Sequence, residues 1–382
     1  HAEAVLDGLF SGRAGLRQAD SSYGVETWLG AVPDPLPPLL PDVPGLAAYE
    51  GRQARLCQLA TLPLLPALEA AKSRWGARRI AVILGTSTAG IADSELAWIH
   101  HRDHGRLPPG FDIDRQHAVF AGVEVVRALT GIAGPGFVVS TACSSSGKVF
   151  ASALRLLRAG IVDAAVVGGV DSLCQMTVRG FASLEVLSPE PCRPFSSLRR
   201  GINIGEGAAL LLLEREAHGE HSTGVSLLGV GESADAHHMT APHPQGLGAR
   251  MAMERALASA GVAVAEVDQI NVHGTGTTKN DETEAQAIRE LFAGQVPDSL
   301  AVVATKGYTG HMLGAAGATE AVFACASIQR GLLPASLGAD PIDESLGLRL
   351  DLALRSRPSR RVLSNSLAFG GSNVSVLLGA DP

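Results

Sequence analysis

The stretch FVVSTACSSSGKVFASALRLL, residues 137–157, decides the fold of this chain. Residues 137–140 read as a short buried strand, and the small residues from Ser144 onward read as a helix ending near Ala159 and Gly160. Cys143 therefore stands at a sharp strand-to-helix turn, facing a helix N-terminus. The partial positive charge of that helix end is expected to favour thiolate over thiol and to activate Cys143 by itself. A thiolate on a rigid turn, with backbone N–H groups beside it, suits acyl transfer. A lone Cys more often fills space. Here the small flanking residues and two histidine motifs downstream favour chemistry.

Outward from this turn, strand-like and helix-like runs alternate. Residues 79–85, 163–169, 208–214, 225–230, 269–273, 300–304 and 374–378 read as strands, and 51–74, 123–129, 248–260 and 315–330 as helices. Strands separated by helices predict an α/β fold with sheets covered on their faces. The polar segment 215–223 is the best boundary, dividing the chain into halves 1–222 and 223–382. Each half carries a strand, a turn and a small-residue helix, at Cys143 and at His311, a hint of duplication. The Pro-rich segment 32–44 is expected to be a surface loop.

A chain of 382 residues exceeds one small core and implies two domains or one duplicated unit. With 46% hydrophobic and 18% charged residues, much of the backbone must be buried. Aromatic residues make up only 4% and the net charge is −7, which argues against a nucleic-acid partner. Cys57, Cys143, Cys174, Cys192 and Cys325 are scattered without a CxxC pair, so neither zinc nor disulfides are expected. The absence of a signal peptide and of a long apolar run predicts a cytoplasmic protein with no membrane partner.

Three further segments offer chemistry. In NVHGTGTTKNDETE, residues 271–284, His273 ends an apolar strand and the Gly/Thr turn leaves hydroxyls free for a ligand. In TKGYTGHMLGAAGATE, residues 305–320, His311 precedes a helix of Gly and Ala, whose N-terminus should keep the imidazole neutral. A neutral imidazole can hold a developing enolate or accept a proton. Lys306 and Glu320 can pair within the same unit. In SNSLAFGGSN, residues 364–373, Phe369 followed by two glycines can swing, and its N–H can complete an oxyanion hole with that of Cys143.

Together these segments resemble the elongating β-ketoacyl-acyl-carrier-protein synthases of the thiolase-like superfamily. The resemblance is colinear from Gly85 to Asn373, through GTST at 85–88, TACSS at 141–145, RPF at 193–195, GEG at 205–207 and DAHHMTAP at 235–242, then HGTGT at 273–277, Lys306 to His311 and FGGSN at 369–373. It implies two similar halves in a five-layered αβαβα arrangement with the active site between them. It implies Cys143 as nucleophile, His273 and His311 as the pair supporting decarboxylation, and Lys306 and Glu320 as the charged pair organising the site. Thr275 and Thr277 match hydroxyls that hold a phosphopantetheine arm, and Leu367, Ala368, Phe369, Gly370 and Gly371 match the gating loop. The reaction implied is decarboxylative Claisen condensation of malonyl-acyl-carrier-protein with an acyl group on Cys143, giving 3-oxoacyl thioester, with no metal or redox cofactor.

The implied partners are an acyl carrier protein and a second subunit, either another copy or a related ketosynthase-like chain. The dimer is expected to form through the region after Gly85 and the strand 137–140, covered by residues 91–119. His100, His101 and His104 in that segment also admit a metal-site reading. Two alternatives remain, an acyltransferase using coenzyme A thioesters and a non-catalytic chain-length-factor-like subunit.

Departures from the pattern leave the acyl substrate open between fatty-acid and polyketide or polyene chains. The family begins with a strand and a Gly-rich turn, whereas this chain is expected to start inside that region. Ser196 and Arg200 stand where Asp is usual, Lys148 is unusual in the nucleophile helix, and Leu367-Ala368 replaces Phe-Gly. Ala368 is expected to stiffen the hinge of the gate.

Overall fold

A computed structural model describes residues 2–215 and 224–380, and the boundary expected at 222–223 lies outside the described residues. Two sheets dominate. In the first, Gly136–Val139, Ile80–Gly85 and Ala164–Asp171 run parallel and Gly207–Glu214 closes the sheet antiparallel. In the second, the order is Ala301–Val303, Gln269–Asn271, Arg361–Ala368, Ser372–Ala380 and Val225–Ala234, the first three parallel and Ser372–Ala380 antiparallel to both of its neighbours.

Side-chain alternation places these sheets in layers. Val82 and Leu84 face an outer core with Leu56, Leu68, Val123 and Val126, while Ala81 and Ile83 face an inner core with Phe150 and Val167. In the second sheet, Val374 and Val376 face the same inner core, and Ile270, Leu363 and Leu377 face a second outer core with Met253 and Ile288. The helices Ser145–Arg158 and Ala316–Arg330 fill the inner layer and touch strands of both sheets. Because both faces are covered, Ile80–Gly85 and Ala164–Asp171 are buried at every position, as apolar parallel strands must be.

The two inner helices cross closely. A Cβ on Gly317 would lie 2.8 Å from the backbone nitrogen of Gly147, so the crossing needs glycine there. The strand Ile80–Gly85 ends just as tightly against the start of the nucleophile helix. A Cβ on Gly85 would meet the Ser146 nitrogen at 2.4 Å.

Some expectations need correction. The single helix read over 51–74 is two helices, Arg52–Thr61 and Leu65–Trp75, joined by the tight turn Leu62–Leu64. Pro63 and Pro66 remove the amide donors that a continuous helix would need. Segment 32–44 is a loop, but Leu36 and Leu39 anchor it in the outer core. Residues 91–119 form the helix Ile91–His104 and the turn Ile113–His117, leaving Leu96 and Trp98 exposed. Among the described residues no three His, Cys, Asp or Glu side chains gather as a metal site, which sets aside the metal reading of His100, His101 and His104. Among the described residues no helix is long and apolar enough to cross a membrane.

The Gly85 contact sets a test. Gly85→Ala must push the nucleophile helix away, and urea unfolding should show a loss of about 1–3 kcal/mol. An unchanged unfolding midpoint would contradict this packing.

Candidate active site

Cys143 reaches the site through an unusual backbone turn. Ala142 has φ +51°, a left-handed conformation that non-glycine residues seldom adopt. Two bonds hold the turn: the Thr141 N–H donates to Ser145 Oγ at 2.9 Å, and Ser144 Oγ donates to the Thr141 carbonyl at 2.9 Å. The helix Ser145–Arg158 begins immediately after, as the sequence indicates.

His311 is delivered by backbone contacts rather than by its helix. Its N–H donates to the Asn203 carbonyl at 2.6 Å, and its carbonyl accepts from the Gly205 N–H at 2.9 Å. This edge pairing brings His311 Nε2 to 2.9 Å from Cys143 Sγ. His273 lies beside it, with ring centroids 5.1 Å apart and planes nearly perpendicular.

Lys306 lies behind His273. The residue is 1% exposed, and its ammonium donates to Glu320 Oε1 at 2.6 Å and to the His273 carbonyl. It also lies 3.3 Å from His273 Nδ1. An ammonium has only protons to offer, so Nδ1 accepts and the His273 proton resides on Nε2. Glu284 holds the same residue from the other side, accepting from the His273 N–H at 2.8 Å and the Gly274 N–H at 2.9 Å. Burial pushes the Glu284 carboxyl up to about 7, against those donated hydrogen bonds. Glu284 closes the motif around His273, but the sequence reading gave it no role. Its spacing, eleven residues on and one helix face inward, was the available signal.

The electrostatics overturn one expectation and refine another. Burial pushes the Cys143 thiol up to about 12, although Lys306 and the N–H groups of Cys143 and Phe369 pull the other way. The helix end therefore does not lower the thiol by itself, because burial of the sulfur opposes it. Deprotonation needs a base, and His311 is in reach. Both imidazoles are held well below the ordinary histidine range, first by burial and then by the Lys306 charge. His311 is neutral as expected, but for these reasons. Among the described residues its Nδ1 finds no hydrogen-bond partner, so no protein contact fixes its tautomer.

A cavity of about 470 Å³ leads to this cluster, lined by Cys143, His273 and His311 at its buried end. Thr275 and Thr277 line it farther out, their hydroxyls 2.9 Å apart. Phe369 flanks the cavity, its ring 5.6 Å from that of Phe181. The loop assignment needs correction at its start. Leu367 and Ala368 belong to the strand Arg361–Ala368, Ala368 facing Ser372 in the ladder with φ −121°. The left-handed positions are Gly370 at +83° and Gly371 at +72°, whereas Ala368 is extended. Hydrogen bonds tie the loop to its neighbour, from Gly370 N–H to the Met239 carbonyl and from Asp235 N–H to the Gly371 carbonyl.

Comparison with known proteins places this geometry. Family models described as Beta-ketoacyl synthase, N-terminal domain and C-terminal domain match residues 47–219 and 225–340. The 3-oxoacyl-[acyl-carrier-protein] synthase 2 of Rhizobium meliloti (strain 1021) is 36% identical over 313 residues, spanning 78% of this chain and 73% of that protein. Nodulation protein E of Rhizobium sp. (strain N33) is 36% identical over 306 residues, spanning 78% and 74%. Among solved structures, a ketosynthase from Xenorhabdus doucetiae in complex with its chain length factor superposes with a TM-score of 0.88 and 39% identity. That likeness covers 100% of this chain and 94% of the other.

The raised thiol and the neutral base generate a pH test. A thiol above the assay range gains about tenfold in thiolate per pH unit. In His311→Ala, alkylation of Cys143 by iodoacetamide should therefore climb about tenfold per unit from pH 6 to 9. With His311 present the rate at pH 7 should be about a hundredfold higher and much flatter, because the neutral imidazole takes the proton. A rate in the variant that plateaus below pH 7 would mean a preformed thiolate.

Proposed function

The chain belongs to the β-ketoacyl synthase family and is an acyltransferase that carries out decarboxylative condensation, and we propose that Cys143 carries its acyl group while His273 and His311 serve the malonyl half-reaction. The observation behind this is the 2.9 Å approach of His311 Nε2 to Cys143 Sγ, with His273 alongside. His311 takes the thiol proton as Cys143 attacks an acyl thioester. The N–H groups of Cys143 and Phe369 point at the sulfur and are placed to hold the oxyanion. The departing thiolate leaves with the proton from His311.

His311 then exchanges its Nδ1 proton for one on Nε2, and a malonyl thioester occupies the cavity with its carbonyl oxygen toward Nε2–H of His273 and His311. Loss of carbon dioxide leaves an enolate whose oxygen accepts from both imidazoles. Its carbon attacks the acyl carbonyl, the new C–C bond forms, and the bond to Cys143 Sγ breaks, the released sulfur taking a proton from solvent to restore the thiol. Neutral donors suit this step, because they stabilise the enolate oxygen without a proton that competes for the carbon. Lys306 and Glu320 orient the pair. Thr275 and Thr277 hold the arm, and Phe369 gates the acyl side. The sequence of steps needs no metal or redox cofactor.

Substrates arrive on the phosphopantetheine of an acyl carrier protein, the carrier that the Rhizobium meliloti synthase acts on by name. The chain works in the cytoplasm, where its five free cysteines stay reduced. It pairs with a second copy or with a related subunit, as the Xenorhabdus ketosynthase does with its chain length factor. The strand Gly136–Val139, paired on one edge only, and the exposed Leu96, Trp98 and Ile99 support such a contact. Retention of Cys143, His273 and His311 speaks for a catalytic subunit rather than a silent partner.

Intact-mass analysis after incubation with acyl-carrier thioesters should show one acyl group, on Cys143, and none in Cys143→Ala. His273→Ala should still be acylated yet lose malonyl decarboxylation by about 10²–10³-fold, the scale of one oxyanion donor. Acylation elsewhere, or normal decarboxylation in His273→Ala, would refute these roles. Light scattering at micromolar concentration should give a dimer mass for the chain alone or with its partner subunit, and a monomer in both cases would refute the pairing.

A further inference from the structure

The mouth of the cavity carries cations that the condensation chemistry does not use. Exposure orders the lining residues by depth. Cys143, His273 and His311 are nearly inaccessible at the floor, Thr275 is buried and Thr277 half-buried above them, and Lys279 and Arg200 are exposed at the rim. Lys279 and Thr277 lie on the segment entering the helix Thr278–Leu291, whereas Arg200 comes from a different part of the chain. The two cations thus reach one opening from separate segments.

Each is poorly accounted for by the protein itself. Lys279 stands in the first turn of its helix, where the helix dipole disfavours a cation. Among the described residues its ammonium has no ion-pair partner. The neighbouring Arg199 is drawn inward to Asp343 at 2.6 Å and Glu282 at 3.3 Å. Arg200 is left outside with one long contact to Glu190 at 3.3 Å, both side chains largely solvated. Such a rim pair is worth little and opens readily. Of the two carboxylates on the lining, Asp235 already accepts from Asn373 and from the His243 N–H. Glu185 remains as the one opposing charge.

We propose that Arg200 and Lys279 form a phosphate clamp at the cavity mouth, gripping the phosphodiester of the pantetheine arm whose thioester sits at Cys143. This rests on the function proposed above. A thioester on the floor and an arm passing Thr275 and Thr277 bring the phosphate end of the arm out to the rim. There a guanidinium offers paired donors and an ammonium a point charge. The clamp also answers a charge problem: the chain carries −7 overall, so an anionic ligand needs local cations to approach. The same phosphate chemistry occurs on a carrier-bound arm and on coenzyme A.

The test compares binding of 4′-phosphopantetheine and of pantetheine, which lacks the phosphate, to the intact chain by calorimetry. The wild type should prefer the phosphorylated ligand by roughly tenfold, and the preference should shrink at high salt. Arg200→Ala/Lys279→Ala should lose the preference, and the charge-keeping Arg200→Lys/Lys279→Arg should restore most of it. Equal binding of the two ligands by the wild type, or an undiminished preference in the Ala pair, would overturn the clamp. The sources separate in a further arm. If the double Ala variant weakens carrier-bound substrate and coenzyme A thioester alike, the clamp reads phosphate wherever it comes from. If only one weakens, that one is the ligand. Decarboxylation of malonyl-pantetheine by the wild type needs no phosphate, so its failure would count against the proposed function and not against the clamp.

Discussion

The buried ammonium of Lys306 is the interaction on which the rest of the site depends. It joins Glu320, from the inner helix Ala316–Arg330, to the backbone and ring of His273 at the end of a strand. Burial pushes the Glu320 carboxyl above its ordinary value and the ammonium pulls it back. A buried pair of this kind is weak evidence for stability, since desolvation opposes the attraction. Its value here is chemical. The fixed positive charge helps keep both imidazoles neutral, and its protons dictate which nitrogen of His273 carries hydrogen.

The fold supplies what the charge cannot. The inner helices bring Cys143 and Glu320 into one layer, and the edge contact of His311 with residues 203–205 closes the triangle. Close crossings at Gly85 and Gly317 leave no slack between these parts. Asp171 fixes the turn after Ile80–Gly85: its carboxylate accepts from Thr86 Oγ1 at 2.6 Å and the Thr88 N–H at 2.8 Å. The result is a buried floor formed by Cys143, His273 and His311. That is the condition under which neutral donors are most effective.

Much of this was legible in the chain. The turn at Cys143, the two histidine segments and the alternation of strands and helices carry local signals, because small residues, Gly turns and apolar runs report backbone geometry directly. The strand Arg361–Ala368 was hidden because Ser364, Asn365 and Ser366 interrupt its apolar pattern. Those polar residues are buried and satisfied by partners far away in sequence, Asn365 donating to Glu284 and accepting from Ser375. The state of the Cys143 thiol was misread for a related reason. A helix end is visible locally, but complete burial is a property of the assembled layers, and burial prevailed. The pairing of Ala368 with Ser372 was not legible locally either, and the left-handed angles fall on the glycines beyond it.

The central claim is that Lys306 holds His273 neutral with its proton on Nε2, next to a neutral His311. Nitrogen-15 NMR of histidine-labelled protein reads charge and tautomer together. The account predicts two rings that stay neutral from pH 8 down to pH 6, below the ordinary histidine midpoint, with His273 protonated on Nε2, and a loss of that tautomer bias in Lys306→Met. An imidazolium on either residue at pH 6 or above, or His273 carrying its proton on Nδ1, would contradict it.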